Sequence, residues 1–291
     1  MTGYPPGDTF SSLIEEVITY LTGFGVSNDQ LATLAVDIAP GTTQFRVSGQ
    51  VSRGLIEINQ ELMWVETLEG DLVTLAPWGR GHKGTSASAH SAGAMVSVRP
   101  TYPRSIVARE VNNTIRSLYP TLFAVDTMTA QSSSGWTIEI PADCERILSV
   151  ELTTVSQDPP EILNTWELTH SASTSSGKAL LLGTAYMGSF RVTYAKMPAA
   201  LILDEDPFSL TGLPVTSRDV VVLGAASRLV PWLDSGRVPT QTVNADLLDA
   251  KNGLGTAISV GRELRTQFRT RLAEEQSALL SRYPMRAHKI R

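Results

Sequence analysis

Apolar residues at helical spacing open the chain: Phe10, Leu13, Ile14, Val17, Ile18 and Leu21 fall on one face, with Asp8 or Thr9 as the cap. Gly23 and Gly25 end this predicted helix. Short apolar runs typical of β-strands then follow at Leu34-Ala35-Val36, Phe45-Arg46-Val47, residues 55–58, Met63-Trp64-Val65, residues 72–75 and residues 95–98. Glycines and acidic turns separate them, as in a small sandwich or barrel. Pro100 and Pro103 close this stretch, and Ser105 opens a second helix with Ile106, Val107, Val111, Ile115 and Leu118 on its apolar side, stopping at Tyr119-Pro120. β-type runs resume at 136–140, 147–152, 166–169, 179–182 and 190–194, with exposed loops at Pro159-Pro160 and 170–177.

A linker at 201–214 leads to a third helix starting near Ser217. Val220, Val221, Val222, Leu223, Ala225, Ala226, Leu229 and Val230 make it apolar almost all the way round, which predicts burial on every side or partly by a neighbouring subunit. Pro231 is expected to kink or end it. The last helix is predicted to begin between 244 and 258 and run to Tyr283, with Leu264, Phe268, Leu272, Leu279 and Tyr283 as its apolar stripe.

Charge changes the picture at that last helix. The net charge of -5 over 291 residues argues against a general nucleic-acid binder. From Ile258 onward, however, eight basic residues (Arg262, Arg265, Arg269, Arg271, Arg282, Arg286, Lys289 and Arg291) face three acids, a local charge of +5. A basic helix running into an extended tail predicts docking on an acidic partner or the lining of a path for DNA. Cys144 is the single cysteine, so an intrachain disulfide or cysteine-based zinc site is excluded. The start has no basic region followed by an apolar core, so no signal peptide is predicted, and no apolar run reaches the length of a membrane span.

Candidate chemistry is sparse. Gly79, Gly81 and Gly84 satisfy G-x-G-x-x-G, but no helical apolar period follows, and no acid lies between Asp71 and Glu110, so a dinucleotide site is not predicted. Lys83 precedes Gly84, the reverse of the order a phosphate loop needs. His82 and His90 lie eight apart on a loop without cysteine or a nearby acid, and a packing or hydrogen-bonding role is expected rather than a metal. Serines are plentiful, but none sits in a G-x-S-x-G elbow. Glu57 and Glu61 read as surface charges beside a β-run. Trp64, Trp78, Trp136, Trp166 and Trp232 are spread along the chain and read as core and interface anchors. No catalytic residue, cofactor or metal is predicted, and the chain is read as not an enzyme.

The loop nevertheless carries a label. Arg80, Gly81, Gly84, Thr85, Ala87, His90, Gly93, Ala94 and Val96 resemble the pattern R-G-x-x-G-T-x-A-x-x-H-x-x-G-A-x-V of structural proteins of tailed bacteriophages, preceded here by an "E-x-M" strand at Glu61-Leu62-Met63. The stretch 112–120, the segment 219–229 and the end around Leu272, Glu274-Glu275 and Tyr283-Pro284 are similar to head-to-tail connector (neck or adaptor) proteins. The resemblance implies an α+β fold: an adaptor-like helical bundle of about four helices with two inserted antiparallel β-modules. The segments it implies are 1–26 (bundle helix), 27–100 (β-module), 101–125 (bundle helix), 126–214 (β-module and linker) and 215–291 (C-terminal helices and basic tail).

The function implied is a virion protein, made in the host cytoplasm, that joins the capsid portal to the tail as a homo-oligomeric ring, often of twelve copies. Its partners would be the portal, tail or neck proteins, further copies of itself and packaged DNA in the channel, with no membrane. The basic residues from Arg262 to Arg291 would contact portal or DNA, and Val221, Leu223, Leu229, Trp232 and Phe268 would lie between subunits. A tail-tip or baseplate component that binds fibres or the host surface is the alternative, because such proteins share the Arg80 to Val96 loop.

Overall fold

The computed structural model describes residues 7–22, 30–153, 161–170, 174–235 and 254–284; the side chains of 132–135, 186–187, 231–235 and 254–259 lie outside that description. Two compact units divide the chain, one holding Ser11–Asn112 and Gly224–Arg262, the other Met1–Phe10, Asn113–Leu223 and Glu263–Arg291.

Six short strands dominate the first unit: β1 (Gln30–Leu34), β2 (Gln44–Ser48), β3 (Gly54–Ile58), β4 (Glu61–Glu69), β5 (Leu72–Leu75) and β6 (Met95–Val98). They close into an antiparallel barrel in the order β1-β2-β5-β4-β3-β6, with β6 returning to β1 through pairs such as Ala32 with Val96. Period-two patterning explains the closure. In β2, Phe45 and Val47 point inward while Gln44, Arg46 and Ser48 face water. The interior is filled by Leu34, Ile56, Ile58, Met63, Val65, Val73, Val96 and their neighbours, a packed core of the kind a small barrel contains. Asn59 and Gln60 form the two-residue turn between β3 and β4, and Asn59 takes a positive φ of 55°, which asparagine tolerates better than most residues.

The second unit is built on a five-stranded antiparallel sheet. Its strands are β7 (Ala124–Glu139), β8 (Cys144–Leu152), β9 (Glu161–Ile162), β10 (Trp166–His170) and β11 (Lys178–Lys196). The two apolar runs at 179–182 and 190–194 belong to the single long strand β11, with register shifts between Leu181 and Gly188 where it bends along β7. Its first part pairs with β10 and its last part with β8. Ile138, Ile147, Val150, Leu180, Phe190 and Val192 bury one face.

Four helices complete the described chain: α1 (Phe10–Thr22), α2 (Arg104–Leu118), α3 (Arg218–Ser235) and α4 (Leu254–Arg282). This overturns the expected helical bundle with inserted β-modules. The architecture is β-rich, and the hydrophobic clusters of the barrel and the sheet are strand cores. Helical spacing locates helices, but it does not reveal which elements own the core. α3 also runs past Pro231 to Ser235. Proline removes one intrahelical hydrogen bond, and here the surrounding turns continue without it.

Glu57, a buried acid on the outer face of β3, starts α2. Its carboxylate accepts the backbone N–H groups of Arg104 (2.8 Å) and Ser105 (2.9 Å), and the residue is 2% exposed. A negative charge here satisfies two otherwise unpaired donors and complements the helix dipole. Glu57→Ala is expected to lower stability by about 1–2 kcal/mol, read by denaturant melting, with the first turn of α2 losing hydrogen-exchange protection. Unchanged protection at Arg104 and Ser105 would contradict the capping role.

Candidate functional site

The labelled loop and the E-x-M strand meet in one buried network. Glu61 opens β4 with its side chain 1% exposed, and Arg80 reaches it with a 9% exposed side chain. Arg80 Nε donates to Glu61 Oε1 at 2.7 Å and Nη2 to Oε2 at 3.0 Å, a two-pronged pairing that a planar guanidinium makes well. The remaining guanidinium donors go to backbone carbonyls: Nη1 to Ala39 (2.7 Å) and Thr42 (2.9 Å), Nη2 also to Ser88 (2.6 Å). All five donors of the arginine are therefore used.

Glu61 is equally occupied. Besides Arg80 it accepts the N–H of Gly81 on Oε1 (3.0 Å), and on Oε2 the N–H of Ser88 (3.0 Å) and His90 Nε2 (2.9 Å). Asn59 Nδ2 lies 3.2 Å from His90 Nδ1, and as an amide donor it leaves Nε2 as the ring's donor toward Glu61. His90 also exchanges both backbone hydrogen bonds with Ile38, at 2.9 and 3.0 Å. Thr85 Oγ1 accepts from Leu62 N–H (3.0 Å) and donates to the His82 carbonyl (3.0 Å). The motif residues thus clasp β4 to the loop between β5 and β6 and to the connection between β1 and β2.

Burial by itself pushes the Glu61 carboxyl upward. The hydrogen bonds from Arg80, Ser88, His90 and Gly81 outweigh that and bring its pKa down to about 2. A carboxylate so fully bonded is held ionised as an acceptor and has no lone pair or proton to offer a substrate at neutral pH. The arrangement is a structural clasp. Sequence reading placed Glu57 and Glu61 at the surface; both are 2% exposed, and each is buried because it has N–H partners waiting. The signal available was the spacing of Glu61 before Arg80, a pair with no meaning until the barrel closes.

Two glycines fit the clasp by backbone alone. Gly81 adopts φ +58° while its N–H points to Glu61. A Cβ on Gly79 would lie 2.7 Å from the Trp64 carbonyl oxygen and 2.9 Å from that of Ala76, both backbone atoms. Gly79→Ala is expected to destabilise the protein by about 1–3 kcal/mol through forced overpacking, measured as a lowered denaturation midpoint. A neutral result would show that the loop can move away.

Beside the clasp, the barrel surface carries an aromatic cluster. Trp64 and Trp78 stack with ring centroids 6.0 Å apart, and His82 lies 5.5 and 5.3 Å from them. Trp78 is 60% exposed and Trp64 36%. Partial burial, with the charge of Lys83 next to it, lowers the pKa of His82 and favours the neutral ring. Trp136 is exposed on the sheet unit, and Trp166 packs against that sheet's core. The side chain of Trp232 lies outside the described residues.

The basic residues of α4 separate into classes. Arg262, Arg265, Arg269 and Arg282 are exposed. Arg271 is engaged within its unit, by Asp219 Oδ2 at 2.6 Å, Glu275 Oε1 at 3.2 Å and Glu274. Arg265 and Arg269, one turn apart, make no ion pair among the described residues. Arg286, Lys289 and Arg291 lie outside them. Val221, Leu223 and Leu229 are buried (0%, 6% and 1% exposed), and Phe268 is partly buried.

Among the described residues, no three His, Cys, Asp or Glu side chains gather as metal ligands, and no helix is long and apolar enough to cross a membrane. Cys144 is buried, and burial pushes its thiol up to about 11, which keeps it protonated and unreactive. No protein-family model matches the chain, and no curated protein matches it.

Proposed function

We propose that the chain is a non-enzymatic structural protein of a tailed-phage virion, joining portal to tail as a homo-oligomeric ring. The observation that carries this reading is the pair of exposed arginines, Arg265 and Arg269, which make no ion pair among the described residues, on α4 of a protein whose net charge is -5. Exposed charge of one sign on a rigid helix is suited to steering and orienting an acidic surface. The phage-like motif supports the same reading, because its residues build a stiff module and leave no reactive centre.

The double substitution Arg265→Glu/Arg269→Glu is expected to weaken binding to isolated portal by about tenfold or more, with circular dichroism and melting unchanged. Portal binding at wild-type strength would overturn the assignment. Truncation at residue 284 gives a second arm, expected to abolish portal docking while leaving the fold intact. A steep fall of portal binding with salt would mark the docking as charge-led, and little salt dependence would mark it as specific packing.

One observation favours the alternative, a tail-tip or baseplate component that binds fibres or the host surface. The cluster of exposed Trp64 and Trp78 with partly buried His82 is a preformed aromatic contact of the kind that anchors interfaces. Trp78→Ala that reduces attachment of virions to cells, without reducing head-to-tail joining, would support it.

A further inference from the structure

Ile202 is 78% exposed and Leu203 54%, and Met197, Leu210 and Val215 in the same stretch are each at least half exposed. The two central side chains are presented by a fixed backbone. Leu201 and Phe208 on either side are buried at 1% and 0%. Between them, the Asp206 carboxylate accepts the N–H groups of Ile202 (2.7 Å) and Leu203 (2.8 Å), and Asp206 N–H donates to the Leu203 carbonyl at 3.0 Å. Phe10 N–H donates to the Asp206 carbonyl (2.8 Å) and Phe208 N–H to that of Asp8 (2.9 Å). A preformed apolar knob of this kind loses little conformational entropy on binding. Glu205 beside it is exposed and has no ion pair among the described residues.

The same unit holds a socket of matching chemistry. A cleft of about 270 Å3 is lined by Phe123, Val125, Leu213, Leu279, Tyr283 and Arg282, together with Glu275, whose carboxylate is already taken up by Arg271 and Thr216. A cavity of about 150 Å3 accepts benzene, so this one has room for two branched aliphatic side chains. Arg282 is exposed, lies over the Tyr283 ring at 5.6 Å and makes no ion pair among the described residues. Apolar walls with a cation complement an apolar knob with an anion.

We infer that the knob of one copy, Ile202 and Leu203, seats in the Leu279 cleft of a second copy of this chain, with Glu205 against Arg282. Knob and socket are different residues, so each copy offers one of each, and repetition of the contact builds a chain or closes a ring. The inference rests on the ring-forming part of the proposed function and names the surfaces that form it.

The test uses two substitutions at exposed positions, Ile202→Asp in the knob and Ala278→Trp, which fills the socket from its α4 wall. Sedimentation of the wild-type chain is expected to show concentration-dependent assembly beyond the dimer, and each variant alone is expected to associate at least tenfold more weakly. An equal mixture of the two variants is expected to stop at a one-to-one dimer, because only one intact knob meets one intact socket. Ile202→Cys mixed with Ala278→Cys should give a disulfide-linked pair under oxidation, which neither gives alone. Assembly that persists in both variants, or a mixture that forms no dimer, overturns this interface and leaves the connector reading standing. A wild-type chain that stays monomeric up to about 1 mM, both free and on isolated portal, overturns both.

Discussion

Glu61→Ala is expected to remove about 3–5 kcal/mol of stability, a large part of what a domain of ordinary stability possesses. The substitution strands Arg80, 9% exposed at its side chain, with carbonyl partners but no counter-charge. It also leaves the N–H groups of Gly81 and Ser88 and the Nε2 of His90 without their acceptor. Unsatisfied donors in a buried site carry their full desolvation penalty, which exceeds the net value of the bonds when made. Arg46→Ala is the matched control. Arg46 pairs with Asp71 at 2.6 Å, but both side chains are more than half exposed, and solvent screens the pair so that it adds little to stability. Equal losses for the two substitutions in chemical denaturation would show that the clasp contributes no more than a surface pair.

The same carboxylate should dominate the acid limb of stability. Its folded pKa of about 2 lies below the ordinary value of 4.5, so the folded state holds the proton more weakly than the unfolded chain does. The associated stability is fully present above about pH 4.5 and is lost as pH falls toward 2, a change on the order of 3 kcal/mol. Asp71, Asp126 and Glu139 are also held below their usual range, chiefly by hydrogen bonds from Arg46, Lys196 and Ser175. Asp71 and Glu139 are exposed and Asp126 is partly so, and their share is screened. Stability of wild type and Glu61→Gln measured across this window should therefore converge as the pH drops. Parallel curves would assign the acid sensitivity to other groups.

Local elements were largely legible in the chain. Period-two runs such as Phe45-Arg46-Val47 and residues 55–58 mark true strands, and helical spacing from Phe10 to Leu21 and from Ile106 to Leu118 marks true helices. Those signals depend on which side chains face a core, and period reports that directly. Less legible was the joining of residues 179–182 and 190–194 into one strand, because the bend between them has the composition of a loop. Likewise Pro231 reads as a stop, and the backbone continues through it. The candidate site is half visible: the motif singles out Arg80, Gly81, Thr85 and His90 and, through its E-x-M strand, Glu61, whose carboxylate nevertheless reads as a surface charge.

What the sequence determined by itself is the inventory: where strands and helices lie, that the last helix is basic, and that no cysteine or serine constellation points to catalysis. Only the tertiary structure decided that six strands close on themselves and that two acids are buried. It alone brought Trp64 to Trp78 and exposed Ile202 at the tip of a pinned loop. The reason is physical. Spacing along a chain encodes which face is apolar, whereas the fate of a charged or aromatic side chain depends on partners far away in sequence. For Glu61 those partners are Arg80, Ser88 and His90, and their donors converge only after the barrel is closed.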